Sequence, residues 1–108
     1  VRAAVSAFLG VDGGGSGSRL RWWSGDPLGD VVRTSGPLNL TTLDPSEWRA
    51  TLDELLTGLP EPTAATFCVA GMRSASSRAV LVDHVRTRFP TAPVRAEPDF
   101  VAALACFD

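Results

Sequence analysis

The run Asp12-Gly13-Gly14-Gly15-Ser16-Gly17-Ser18 sets a carboxylate directly before a string of glycines and hydroxyls. Glycines let backbone N–H groups approach a phosphate with no side chain in the way. Ser16 and Ser18 add hydroxyl donors, and Asp12 is suited to hold Mg²⁺ directly or through water. The same run also reads as a glycine-rich hairpin turn, and glycine motifs often match by chance. The chain contains no Lys, which excludes a Walker A loop. A strand-like run rather than a helix follows the glycines, which excludes a dinucleotide fingerprint.

Asp99 precedes an apolar run. At a helix N-terminus its carboxylate is favoured in the ionised form. There it can accept a proton from a substrate hydroxyl or act only as an N-cap. Asn39, the only Asn or Gln in the chain, offers a directional amide to a polar ligand or simply stabilises a turn. Gly71 and Met72 follow an apolar strand-like run and either line the same cleft or form a plain connection. His84 is the lone histidine. It falls mid-helix with no nucleophile placed beside it, so it reads as a surface or boundary residue. Cys68 and Cys106 lack metal-ligand spacing and sit among apolar residues, as buried thiols of a reducing compartment do. That usage points to the cytoplasm.

The elements that must position these residues follow from pattern and punctuation. Residues 7–11 form a short apolar run suited to a central strand buried on both faces. Residues 19–22 alternate polar and apolar, as a hairpin partner does, and 31–34 form a third strand. Adjacent Trp22 and Trp23 must point to opposite faces. Asp44 as cap, Pro45 next and Glu47 three after the cap start a helix. Its apolar stripe is Trp48, Leu52, Leu55, Leu56 and Leu59, and Gly58 and Pro60 end it. Residues 66–70 are a fourth strand. Ser76 or Ser77 starts a second helix carrying Val80, Leu81, Val82, Val85 and Phe89, and 93–96 are a fifth strand. The run 100–107 is an apolar helix that something must cover.

The order β-β-β-α-β-α-β-α implies an α/β fold with a mixed five-stranded sheet. Crossovers are right-handed by default, and ligands bind beyond the carboxyl ends of the strands. Asp12, Gly71 and Asp99 all fall at or just after such ends. With 108 residues, 44% hydrophobic and 20% charged, the chain is one domain with one modest core. A net charge of -2 gives no nucleic-acid footprint and no polybasic membrane segment.

Together these residues resemble the N-terminal lobe of the actin-like, sugar-kinase-like ATPases. The BadF/BadG/BcrA/BcrD-type family, which includes N-acetylglucosamine kinases, is the nearest likeness. Residues 8–16 resemble its strand followed by DGGGT. Gly36-Pro37-Leu38-Asn39 is similar to its Gly-x-x-Asn loop, and Val69-Ala70-Gly71-Met72 to its Leu-Ala-Gly segment. Residues 89–103 resemble the stretch that carries the family's catalytic Asp. Two departures are Ser16-Gly17-Ser18 in place of Thr-Lys-Thr, and Pro98 in place of Asn.

The resemblance implies an RNase-H-like lobe over residues 1–108, with a second lobe missing beyond Asp108. It implies an ATP- and Mg²⁺-dependent kinase for an amino sugar. Gly13, Gly14, Gly15, Ser16 and Ser18 would bind the nucleotide phosphates and Asp12 the metal. Asn39, Gly71 and Met72 would hold the sugar, and Asp99 would be the base. The expected partners are the sugar and either the second lobe or a homodimer mate. Two other readings stay open. One is an ATPase activating an acyl-CoA dehydratase or reductase. The other is a truncated, non-catalytic partner-binding domain.

Overall fold

A computed structural model describes residues 6–24 and 29–98. Five strands and two helices follow in chain order: β1 (Ala7–Gly13), β2 (Ser18–Ser24), β3 (Val31–Ser35), α1 (Pro45–Leu56), β4 (Ala64–Val69), α2 (Ala75–Arg86) and β5 (Val94–Pro98). This is the α/β element order expected, as far as the described residues run. The final helix, with Asp99 and Cys106, lies outside them.

The strands form one mixed sheet in the order β3-β2-β1-β4-β5. β2 runs antiparallel to β1 and β3, and β4 runs parallel to β1 and β5. The crossovers from β3 to β4 and from β4 to β5 therefore advance in the same direction across the sheet. Right-handed connections then put both helices on one face, and one continuous core joins them to it. On that face lie Leu9 and Val11 of β1, Leu20 and Trp22 of β2, and Phe67 and Val69 of β4. Trp48, Leu52, Leu55 and Leu56 come down from α1, and Leu81 and Val85 from α2. Each of these large apolar side chains contributes about 1.5–3 kcal/mol on burial.

The helix ends are made locally. Glu47 accepts a hydrogen bond from the Asp44 N–H at 3.2 Å, as the capping sequence predicts. The stripe runs past the helix, which stops at Leu56. Gly58 adopts φ +77° beyond it, and Arg33 donates to the carbonyls of Leu55 and Thr57 at 2.9 and 2.6 Å. A guanidinium there satisfies terminal carbonyls and the negative end of the helix dipole. α2 starts at Ala75, one residue before Ser76. Ser74 is its cap, accepting from the Ser77 N–H at 3.2 Å, while the Ser77 hydroxyl accepts from the Ser74 N–H at 3.1 Å. His84 is a boundary residue, as expected. Its Nε2 lies 2.9 Å from Asp53 Oδ1, tying α2 to α1, and its ring stands edge-on to Trp48.

One expectation is corrected. β1 is central but not buried on both faces: its burial alternates, and Phe8 is 52% exposed. Trp23 and Val32 are exposed on that same second face, while Trp22 points into the core. The short apolar run is thus a one-sided strand, because both crossovers cover the same side. Among the described residues, no helix is long and apolar enough to cross a membrane.

Candidate functional site

β1, β3, β4 and β5 all end at one edge of the sheet, the edge where β2 begins. The register aligns Ser35, Ser18, Gly13, Val69 and Pro98 in a single row. Three segments singled out in the sequence meet there, and backbone bonds hold them together. The glycine run is a tight hairpin closed by Gly14 N–H to Gly17 C=O at 2.9 Å. The Leu38 N–H donates to Gly14 C=O at 2.9 Å, the Leu40 N–H to Ala70 C=O at 3.0 Å, and the Ala70 N–H to Gly13 C=O at 2.9 Å. The hairpin, the 36–42 loop and the 70–72 segment are therefore one unit at the carboxyl ends of β1 and β4.

The glycines of the hairpin are not equivalent. Gly13 is buried, and a Cβ there would fall 2.7 Å from the Leu38 side chain, so this position is glycine for packing. At Gly15 a Cβ would meet nothing within 4 Å. No internal contact demands glycine there, at the exposed turn of the hairpin. Ser18 lies on the covered face, with its hydroxyl donating to Gly36 C=O at 2.8 Å. It fastens the hairpin to the 36–42 loop. Ser16 is exposed at the tip.

Asn39 uses its side-chain oxygen internally. Oδ1 accepts from the N–H groups of Thr41 and Thr42 at 2.8 and 3.1 Å. Among the described residues its amide nitrogen has no partner. Gly71 sits at φ +79°, where a Cβ would lie 2.4 Å from Asn39 Oδ1 and 2.7 Å from Thr41 N. Thr41 Oγ1 closes the contact by donating to Gly71 C=O at 3.0 Å. Met72 is buried in the core, where it supports the segment from beneath. Asp99 lies outside the described residues, but β5 delivers Pro98 to the same edge, in register with Val69.

Asp12 is exposed on the open face, one residue in from the edge. With Gly14, Ser16 and Gly17 it lines a cleft of about 440 Å³, whose other wall is Arg19, Thr34 and Ser35. Sequence reasoning singled out the loop that begins at Ser35 but neither Arg19 nor Thr34. A signal was present: a hairpin whose tip is Gly15-Ser16 pairs 14 with 17, 13 with 18 and 12 with 19. The observed register has the last two of these pairs. Mg²⁺ is commonly held by one or two carboxylates, with phosphate oxygens and waters completing its shell. A lone exposed carboxylate beside an open backbone hairpin fits that mode of binding.

No protein-family model matches the chain, and no curated protein does. Among solved structures, the chain is similar to the crystal structure of a "Putative N-acetylglucosamine Kinase" from Chromobacterium violaceum. The TM-score is 0.56 at 21% identity, over 90% of this chain and 36% of that one. The likeness shows a shared fold, which in this chain is the α/β arrangement on a mixed five-stranded sheet. The chain spans 36% of that neighbour's length.

Proposed function

We propose that residues 1–108 form the N-terminal, RNase-H-like lobe of an ATP-dependent sugar kinase of the actin-like, BadF/BadG/BcrA/BcrD type, acting in the cytoplasm on an amino sugar such as N-acetylglucosamine or glucosamine. The observation that carries this reading is the meeting of three segments at one sheet edge. The hairpin, the Asn39 turn and the Gly71 segment are bonded to one another at the carboxyl ends of parallel strands, where α/β sheets bind ligands. The fold shared with the kinase-named neighbour supports it.

The reaction is in-line phosphoryl transfer. A sugar hydroxyl oxygen bonds to the γ-phosphorus, the bond from that phosphorus to the β–γ bridging oxygen breaks, ADP leaves, and the hydroxyl proton passes to a carboxylate. Such chemistry rests on positioning and charge stabilisation. The Gly14 N–H closes the hairpin on Gly17 C=O, so the backbone donors offered to the phosphates would be those of Gly15 and Ser16, with Gly13 and Ser18 fixing the hairpin's base. Asp12 would hold Mg²⁺, which supplies charge neutralisation on the phosphates when bound. The Asn39 amide would orient a sugar hydroxyl, with Gly71 allowing its close approach and Met72 backing the segment. From the family resemblance, Asp99 accepts the proton.

Steady-state kinetics with Mg-ATP and N-acetylglucosamine or glucosamine, on the protein at its natural length, test the reading. Asp99→Asn lowers kcat by about 10²–10⁴-fold if Asp99 is a general base, while Asn still caps a helix well and melting is unchanged. Normal melting with full turnover sinks the base assignment. No phosphoryl transfer by the wild type to any amino sugar sinks the kinase.

A second reading has its own observation. Phe8, Trp23 and Val32 are exposed on the open sheet face, as in a module that binds a partner there. A wild type that transfers no phosphate but forms a stable complex through that face favours it.

A further inference from the structure

We propose that Glu97, clamped by Arg78 and Arg95, is a positioning residue that fixes the end of β5 and, through it, the placement of Asp99. This deepens the kinase reading and rests on it. Among the described residues β5 ends the sheet, with only β4 beside it. Register pairs Ala96 with Phe67 of the core, and Glu97 with Cys68. Glu97 therefore stands on the open face, in the same row as Asp12. It is two residues before Asp99 in the chain.

Its carboxylate is held from two sides. Arg95, two residues earlier on the same face, donates from Nε to Oε1 at 3.0 Å. Arg78 Nη2 lies 3.7 Å from Oε2. Among the described residues no other carboxylate has two arginines on it. α2 packs on the covered face, so Arg78 reaches Glu97 around the outer edge of β5. Arg78 also stands in the first turn of α2, where its N–H donates to the carbonyl of the Ser74 cap at 3.1 Å. That cap follows closely on the Gly71 segment. The clamp thus ties the helix that grows out of the Gly71 segment to the strand that leads into Asp99.

Proton transfer needs the sugar hydroxyl and its base at one separation, and a misplacement of about 1 Å can cost 10²-fold in rate. Under the kinase reading the Gly71 segment holds the first and β5 delivers the second. An ion pair between their elements sets that distance. Pro98 adds to it, because its ring locks φ and restricts Glu97 to extended backbone. Charge on an outer strand also blunts the strand edge, but that task needs neither a second arginine nor attachment to α2. The Glu97 side chain is 20% exposed and that of Arg78 48%. Pairs this open to solvent contribute little to stability, so the clamp acts on geometry and its loss shows in rate before it shows in melting.

The test is steady-state kinetics on the protein at its natural length, with Mg-ATP and N-acetylglucosamine or glucosamine, and thermal melting alongside. Arg78→Met and Glu97→Gln each lower kcat about tenfold or more, while KM for Mg-ATP and melting stay near wild type. The double variant is no worse than the poorer single, because both remove one interaction. Arg78→Lys keeps the charge and recovers part of the rate. Arg86→Met removes the same charge from the far end of α2 and leaves kcat as it was. Amide hydrogen exchange at Asp99 and Phe100 quickens in Arg78→Met. Full kcat in both single variants makes the clamp an edge device only and overturns the positioning role, leaving the kinase reading standing. A loss of rate that merely follows a loss of folded protein overturns it too, as does an equal loss in Arg86→Met or unchanged exchange at Asp99 and Phe100. A wild type that phosphorylates no amino sugar overturns the kinase reading and the positioning role with it.

Discussion

The two shoulders of the sheet edge are built in opposite ways. At the Asn39–Gly71 shoulder the space is taken up by the fold: Asn39 Oδ1 caps two N–H groups, Thr41 bonds back to Gly71, and Gly71 has no room for a methyl group. At the hairpin shoulder a Cβ on Gly15 would meet nothing within 4 Å, and among the described residues no ion pair engages Asp12 or Arg19. A glycine on the first shoulder serves the fold. A glycine at the hairpin tip has no packing task, because a side chain there would meet no neighbour. The contrast teaches that glycine content alone does not mark a ligand site; the space around each glycine does.

The largest expected effect lies on the crowded shoulder. Gly71→Ala forces a side chain into left-handed backbone and into Asn39 and Thr41 at once. The expected loss is about 2–4 kcal/mol, from strain plus overpacking, read as a lower urea midpoint with an unchanged slope. A change under about 0.5 kcal/mol would show that the 39–42 turn yields easily, and the contrast between shoulders would fail.

Gly13→Ala comes next. It sits inside the glycine run but belongs with the packed positions. Its Cβ would meet three Leu38 side-chain atoms at 2.7–2.9 Å, and Leu38 is fully buried. Overpacking of this kind costs about 1–3 kcal/mol. The paired variant Gly13→Ala with Leu38→Ala should couple: the second change makes room for the first, so the sum of the singles overstates the double. Additive singles would mean that Leu38 is not what excludes a side chain at 13.

Much of this arrangement was legible in the sequence. Asp44, Pro45 and Glu47 announced α1, the paired tryptophans announced opposite faces, and the strand ends announced the edge where the segments meet. What was not legible depends on distance or on degeneracy. Ser74, Ser76 and Ser77 can each cap a helix, and local chemistry alone does not choose among them. The reason for glycine at 13 is a leucine 25 positions away. β1 looked buried on both faces because an apolar run does not say which side its crossovers cover; the strand order decides that. Arg19 looked like an ordinary solvent-facing residue of an alternating strand until the hairpin register set it opposite Asp12.

The smallest effect on stability, and the sharpest on the comparison, is expected at Gly15. Its φ lies outside the left-handed range and a Cβ meets no neighbour within 4 Å. Gly15→Ala should therefore leave stability within about 0.5 kcal/mol of wild type, or raise it slightly by stiffening the unfolded chain. Under the phosphate reading the same methyl group stands where a phosphate must come close to the backbone. KM for Mg-ATP should then rise while the urea midpoint holds. Gly71→Ala and Gly13→Ala should show the reverse pattern, with stability falling first and activity only in proportion to the folded fraction. If Gly15→Ala instead unfolds the protein as readily as Gly13→Ala, the hairpin tip carries a folding role and its openness to ligand is not the reason for its glycine. If it leaves both stability and KM untouched, backbone approach at the tip is not how the phosphates are held.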